Sequence, residues 1–175
     1  MPKKKPEYNH EHFKTALTSL DKLTTVVKTA IHYESQIWKF LELSPLSADT
    51  VGMLTGNQFS KAIVLCGVLG LNQNMVSLLR DFNSIRNNYA HNMEYSLTDE
   101  IIEQYLDGCY PHLNKSTMIC LKHLGIIKDH DHTEWQEKLG SLNKYTQFIV
   151  TLYALELELQ HEVYSFSKDQ ASKGP

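Results

Sequence analysis

The sequence predicts an all-α, single-domain helical bundle. Apolar residues recur at three- and four-residue spacing through most of the chain, no segment alternates apolar and polar residues as a half-buried strand would, and capping or breaking residues stand at the ends of the periodic segments. A chain of 175 residues is long enough to bury one sizeable core. It carries no internal repeat and no long linker. The expected layout is a flexible basic tail over 1–10, a helical bundle domain over 11–166 and a flexible polar tail over 167–175.

Residues 12–20 read as a short helix or as the start of a longer one. From 21 to 43, Leu23, Val26, Val27, Ala30, Ile31, Ile37, Trp38 and Leu41 follow helical spacing, and Pro45 ends the run. Residues 47–53 have room for one or two turns. From 59 to 69, Phe59, Ala62, Ile63, Cys66 and Leu69 share one side, and Gly70 suits the position just past a helix end. Asn72 caps a helix carrying Met75, Val76, Leu78, Leu79, Phe82, Ile85 and Tyr89. Thr98 opens the next, with Asp99 and Glu100 favouring the positive end of the helix dipole. Gly108 and Pro111 are expected to break it, leaving a separate short helix over 114–127. Residues 129–132 read as a loop. The last helix is expected over 142–166, with a stripe of Tyr145, Phe148, Ile149, Leu152, Leu155, Leu159, Val163 and Phe166. The core is expected to draw on Val27, Ile31, Trp38, Ile63, Leu79, Phe82, Ile149, Leu152 and Leu159.

Composition narrows the function. The net charge is −3, the 17 basic residues are scattered, and the one basic cluster is Lys3–Lys5. Nucleic-acid duplexes are held largely by Lys and Arg neutralising phosphates, so tight DNA binding is not expected. No apolar run approaches the length of a membrane span, and the basic N-terminus lacks the apolar stretch of a secretory signal. Three cysteines, Cys66, Cys109 and Cys120, sit in apolar settings and cannot all pair, which suits a reduced, cytoplasmic protein. His123, Asp129, His130, Asp131 and His132 are metal-ligand types, but their spacing matches no zinc pattern. His10-Glu11-His12 reads as a solvated helix start. No phosphate-cradling glycine loop, Cys–His hydrolase arrangement or Gly-x-Ser-x-Gly elbow is present, and no cofactor or metal is expected.

The densest chemistry lies in Arg86-Asn87-Asn88-Tyr89-Ala90-His91, late in a helix. Arginine offers a rigid fork of donors to phosphate, and histidine changes charge near neutral pH. Five residues apart on a helix, Arg86 and His91 diverge by roughly 140°, whereas Asn87 and His91 share a face. Arg86 and His91 converge only if the helix ends near Ala90 or if a second copy completes the site, as in a symmetric homodimer. The competing reading is structural: such residues cap carbonyls or pair with a carboxylate. Glu34 stands on the apolar stripe of the 21–43 helix, where a carboxylate is costly unless paired, and Arg86 or His91 is the expected partner.

The Arg86-Asn87-x-x-x-His91 motif resembles the signature of the HEPN superfamily. The flanks, from Leu54 through Phe59-Ser60, Ile63, Leu69-Gly70-Leu71 and Leu78-Leu79 to Ala90-His91 and Tyr95–Ile101, are similar to the mannitol operon repressor family within it. The resemblance implies an all-α, often dimeric domain and two functions of different class. One is a bacterial cytoplasmic regulator acting through protein partners, or a small phosphate or RNA site, rather than by tight DNA binding. The other is a metal-independent endoribonuclease, toxin or defence-like, in which a ribose 2′-OH attacks the adjacent phosphate. There Arg86 would stabilise the phosphorane, His91 would act as acid or base, Asn87 would orient one of them and Glu34 would support the set. Toxin members paired with nucleotidyltransferase antitoxins carry Tyr two residues after the His. Here that residue is Met93, and the nearest Tyr is Tyr95. The acidic balance and the repressor-like flanks place the regulator first.

Overall fold

The computed structural model describes residues 15, 21–92, 94–128 and 134–172. Among them the protein is all-α, with no strand, and forms a helical bundle. Its helices are α1 (Lys22–Glu42), α2 (Ala48–Thr55), α3 (Phe59–Val68), α4 (Gln73–His91), α5 (Asp99–His123), α6 (Trp135–Gly140) and α7 (Lys144–Ser172). Apart from Thr15, the 1–10 tail and the 12–20 helix lie outside the described residues, as do Met93 and the 129–132 loop. The chain divides into two compact units, one of residues 26–96 with 159–175, the other of residues 1–25 with 97–158.

In the 26–96 unit, α1 buries Val26, Ala30, Tyr33, Ile37, Phe40 and Leu41. Tyr33 meets Phe82 of α4 edge-on, with ring centroids 4.9 Å apart. Phe40 stacks on Phe166 of α7 at 4.1 Å. This rotation of α1 corrects the expected core. Val27 is 41% exposed and Ile31 60%, while Trp38 is half-buried. The helix carries two apolar stripes about 100° apart, and only one is covered. Ile63, Leu79, Phe82 and Leu159 are fully buried, as expected.

The connections in this unit follow local chemistry. Ser47 caps α2 by accepting from the Thr50 amide at 3.2 Å. α3 ends as anticipated at Gly70, which adopts φ 110°. The Gly70 amide bonds the Gly67 carbonyl at 3.3 Å and the Leu71 amide bonds the Cys66 carbonyl at 2.9 Å, satisfying two orphan acceptors. Asn72 then caps α4 through the Asn74 amide at 2.8 Å. α3 and α4 approach closely at Gly67, where an added Cβ would stand 2.9 Å from Cγ2 of Val76.

In the other unit, Thr98 caps α5 by accepting from the Ile101 amide at 3.4 Å. α5 does not break: it runs unbroken through Gly108 and Pro111. Both residues are exposed, so the carbonyl of Asp107 that loses its partner to Pro111 faces the wet side. The opposite face, Ile102, Leu106, Cys109, Leu113, Cys120 and Leu121, stays buried along its whole length. That continuous burial outweighs the local breaking signals and merges the two expected helices into one. Asn143 caps α7 through the Thr146 amide at 2.8 Å. Ile149 and Leu152 are fully buried, and Phe148 meets Tyr105 edge-on. Buried polar groups bond across helices: Tyr110 donates to Gln147 Oε1 at 2.9 Å and Ser116 donates to Glu158. The short helix α6 was not expected from the sequence. α7 continues to Ser172, so 167–172 belongs to a helix and not to a polar tail.

All three cysteines are buried free thiols. Burial pushes the Cys66 thiol from an ordinary 9.0 up to about 12, and burial, then nearby Cys109 and Asp107, pushes the Tyr110 phenol up to about 12. Both acids hold their protons longer folded than unfolded. The unfolded chain therefore binds fewer protons over this range, and stability should fall as pH rises from about 9 towards 12. Urea unfolding at pH 8 and pH 10 should show the loss; equal midpoints would contradict it.

Two glycines separate backbone cost from packing need. At Gly108, inside α5, an added Cβ meets nothing within 4 Å. Gly108→Ala should stabilise by about 1 kcal/mol through helix propensity. Gly67→Ala should destabilise by about 1–3 kcal/mol, because α3 or α4 must shift. Chemical denaturation of both variants measures the contrast.

Candidate functional site

Arg86, Asn87 and His91 all lie on α4 in the 26–96 unit. Arg86 is half-buried, and its Nη1 donates to Asn87 Oδ1 at 3.0 Å. This bond uses one acceptor site of the Asn87 amide oxygen and leaves its NH2 group as a donor. The helix continues through His91, and the Asn92 amide still bonds the Asn88 carbonyl at 2.9 Å. α4 thus ends one residue past Ala90, with His91 as its last residue and Asn92 already extended. Arg86 and His91 leave the helix in divergent directions, and His91 is exposed.

Beyond the helix, Asn92 Oδ1 accepts from the Glu94 amide at 3.0 Å, and Tyr95 folds back to meet Tyr89 edge-on at 4.8 Å. Burial raises the Tyr95 phenol, and a hydrogen bond with Asn88 partly offsets it.

Glu34 does not reach this motif. Its Oε1 accepts from the indole N–H of Trp38, one turn along α1, at 3.4 Å. No ion pair joins Glu34 to Arg86 or His91, which corrects the expected pairing. The reason is the rotation of α1: Glu34 falls on the uncovered stripe, half-buried at its edge.

One residue of the α4 surface escaped the sequence reading. Gln73, Ser77, Arg80, Ser84, Asn87 and His91 fall within about 80° of one another around the helix. Arg80 is thus an exposed cation on the same face as Asn87 and His91. Its signal in the sequence is the i, i+7 and i+11 spacing to those residues, which reaches beyond the six-residue motif.

His123 sits on α5, with Nδ1 3.4 Å from the Tyr153 hydroxyl. The other metal-ligand types of that region, Asp129, His130, Asp131 and His132, lie outside the described residues. Among the described residues no group of three or more His, Cys, Asp or Glu side chains could hold a metal ion.

No family model matches the chain, and neither a curated protein nor a solved structure matches it. The arrangement itself offers an arginine held by its neighbour and an exposed histidine with an adjacent amide.

Glu34 provides a direct test of the α1 rotation. Glu34→Gln should change stability by less than about 0.5 kcal/mol, as for a surface group with one long hydrogen bond. A loss of several kcal/mol in thermal or urea unfolding would indicate a buried ion pair instead.

Proposed function

We propose that this chain is a mannitol-repressor-like bacterial regulator of HEPN type, cytoplasmic and homodimeric, that works by binding a protein partner. The supporting observation is a set of exposed apolar side chains on two charge-poor helices, α2 and α3. Met53 is 80% exposed, Leu54 53%, Val64 49% and Val68 79%. Between residues 50 and 79 the one charged side chain is Lys61. Depletion of charge together with exposed Met is part of the compositional signal of a protein interface core. The described helices include none long and apolar enough to cross a membrane.

The second reading is the metal-independent endoribonuclease. The exposure of His91 beside Asn87, with Arg80 on the same face, favours it. It requires a second chain, because Arg86 and His91 diverge on their own helix.

One experiment separates the two. Purified protein incubated with single-stranded RNA in EDTA should yield no cyclic-phosphate products. In a host lacking the gene, the His91→Ala variant should restore the transcript profile as the wild type does. RNA cleavage that His91→Ala abolishes, and that Arg86→Ala slows by about 10²–10³-fold, would establish the nuclease instead.

A further inference from the structure

A separate feature of the 26–96 unit is an open cleft of about 390 Å³ between the C-terminal half of α1 and α2. Its walls include Trp38, Leu41, Leu46 and Val51, and its polar groups are Glu42 and Asn57. No Lys, Arg or His lines it. The volume lies in the range of small-molecule sites, and the mostly apolar lining with a few polar groups is their usual make-up.

Three features define the cleft, and the first gives it a chemical preference. Glu34, Trp38 and Glu42 stand one turn apart on α1, so the indole is bracketed by two carboxylates. Glu34 holds the indole N–H at 3.4 Å, and Glu42, exposed, opens onto the cleft. A ring face and a carboxylate both attract positive charge. Next, Gly52 lines the cleft from the middle of α2, and a Cβ there would meet nothing within 4 Å. Finally, Gly56 and Asn57 both adopt φ 56°, and this left-handed pair brings Asn57 to the rim.

We propose that this cleft binds a small organic cation, an ammonium or guanidinium group on an apolar stem. The stem lies against Leu41, Leu46 and Val51, the charged head over Trp38 and beside Glu42. Anions meet like charge at Glu42, and neutral ligands forgo both attractions.

Trp38 is one of two tryptophans, so a Trp135→Phe background makes its emission the reporter. Titration with n-pentylamine and n-butylguanidinium should give a saturable change in emission, and n-pentanol should bind at least about tenfold more weakly. Glu42→Gln should weaken amine binding by about tenfold and leave pentanol unchanged. Gly52→Leu should fill the space and abolish the response, with helical content checked by circular dichroism. If that variant loses its helical signal, Glu42→Gln, at an exposed position, decides alone. Unchanged emission up to about 10 mM amine, equal binding of pentanol, or full affinity in Glu42→Gln would each overturn the proposal. A capped lysine tripeptide that binds more tightly than the free amine would also overturn it, by replacing the small ligand with a protein side chain.

Discussion

The edge-on contact of Tyr33 with Phe82 fixes which way α1 faces, and much of the 26–96 unit depends on that rotation. Both rings are fully buried, and such a contact contributes about 0.5–1.5 kcal/mol beyond the area it removes from water. With Tyr33 inward, Val26, Ala30 and Ile37 follow it on the same stripe. The second stripe, about 100° round the helix, then carries Val27, Ile31, Glu34 and Trp38 outward. One packing choice thereby exposes two aliphatic groups, brings the Glu34 carboxylate to the surface and makes Trp38 the wall of a cleft.

The same choice explains where sequence reasoning succeeded. The stripes on α3, α4 and the first part of α7 were legible because their core positions follow helical spacing, and Ile63, Leu79, Phe82 and Ile149 are buried as that spacing implies. Caps were legible because Ser, Thr and Asn side chains act within three residues: Asn72 and Thr98 do what their positions suggest. α1 was not, because two stripes satisfy the same periodicity and only tertiary contact selects between them. Pro111 misled for the opposite reason. A local breaking rule met a buried face that continued on both sides of it, and burial won.

The candidate motif was half legible. Its residue types and spacing are plain in the sequence, and helical geometry alone gives the divergence of Arg86 from His91. What spacing could not give was the hydrogen bond that ties Arg86 to Asn87, or the continuation of α4 through His91. The expected role of Glu34 failed because it rested on the wrong stripe being buried. The end of α4 thus presents chemistry-bearing groups without assembling them on one face.

The three buried thiols have a consequence for how the molecule ages. Burial raises the Cys66 and Cys120 thiols while the chain is folded, all three sulfurs are shielded, and no disulfide contributes to the fold. Reducing conditions therefore have nothing to break. Unfolding frees all three sulfurs at once, with thiolate character restored and no native pairing to guide them. In oxidising surroundings they then cross-link at random, and a reversible excursion becomes a one-way loss. The packing around Cys66, Cys109 and Cys120 is accordingly a safeguard of the protein's lifetime as well as of its shape.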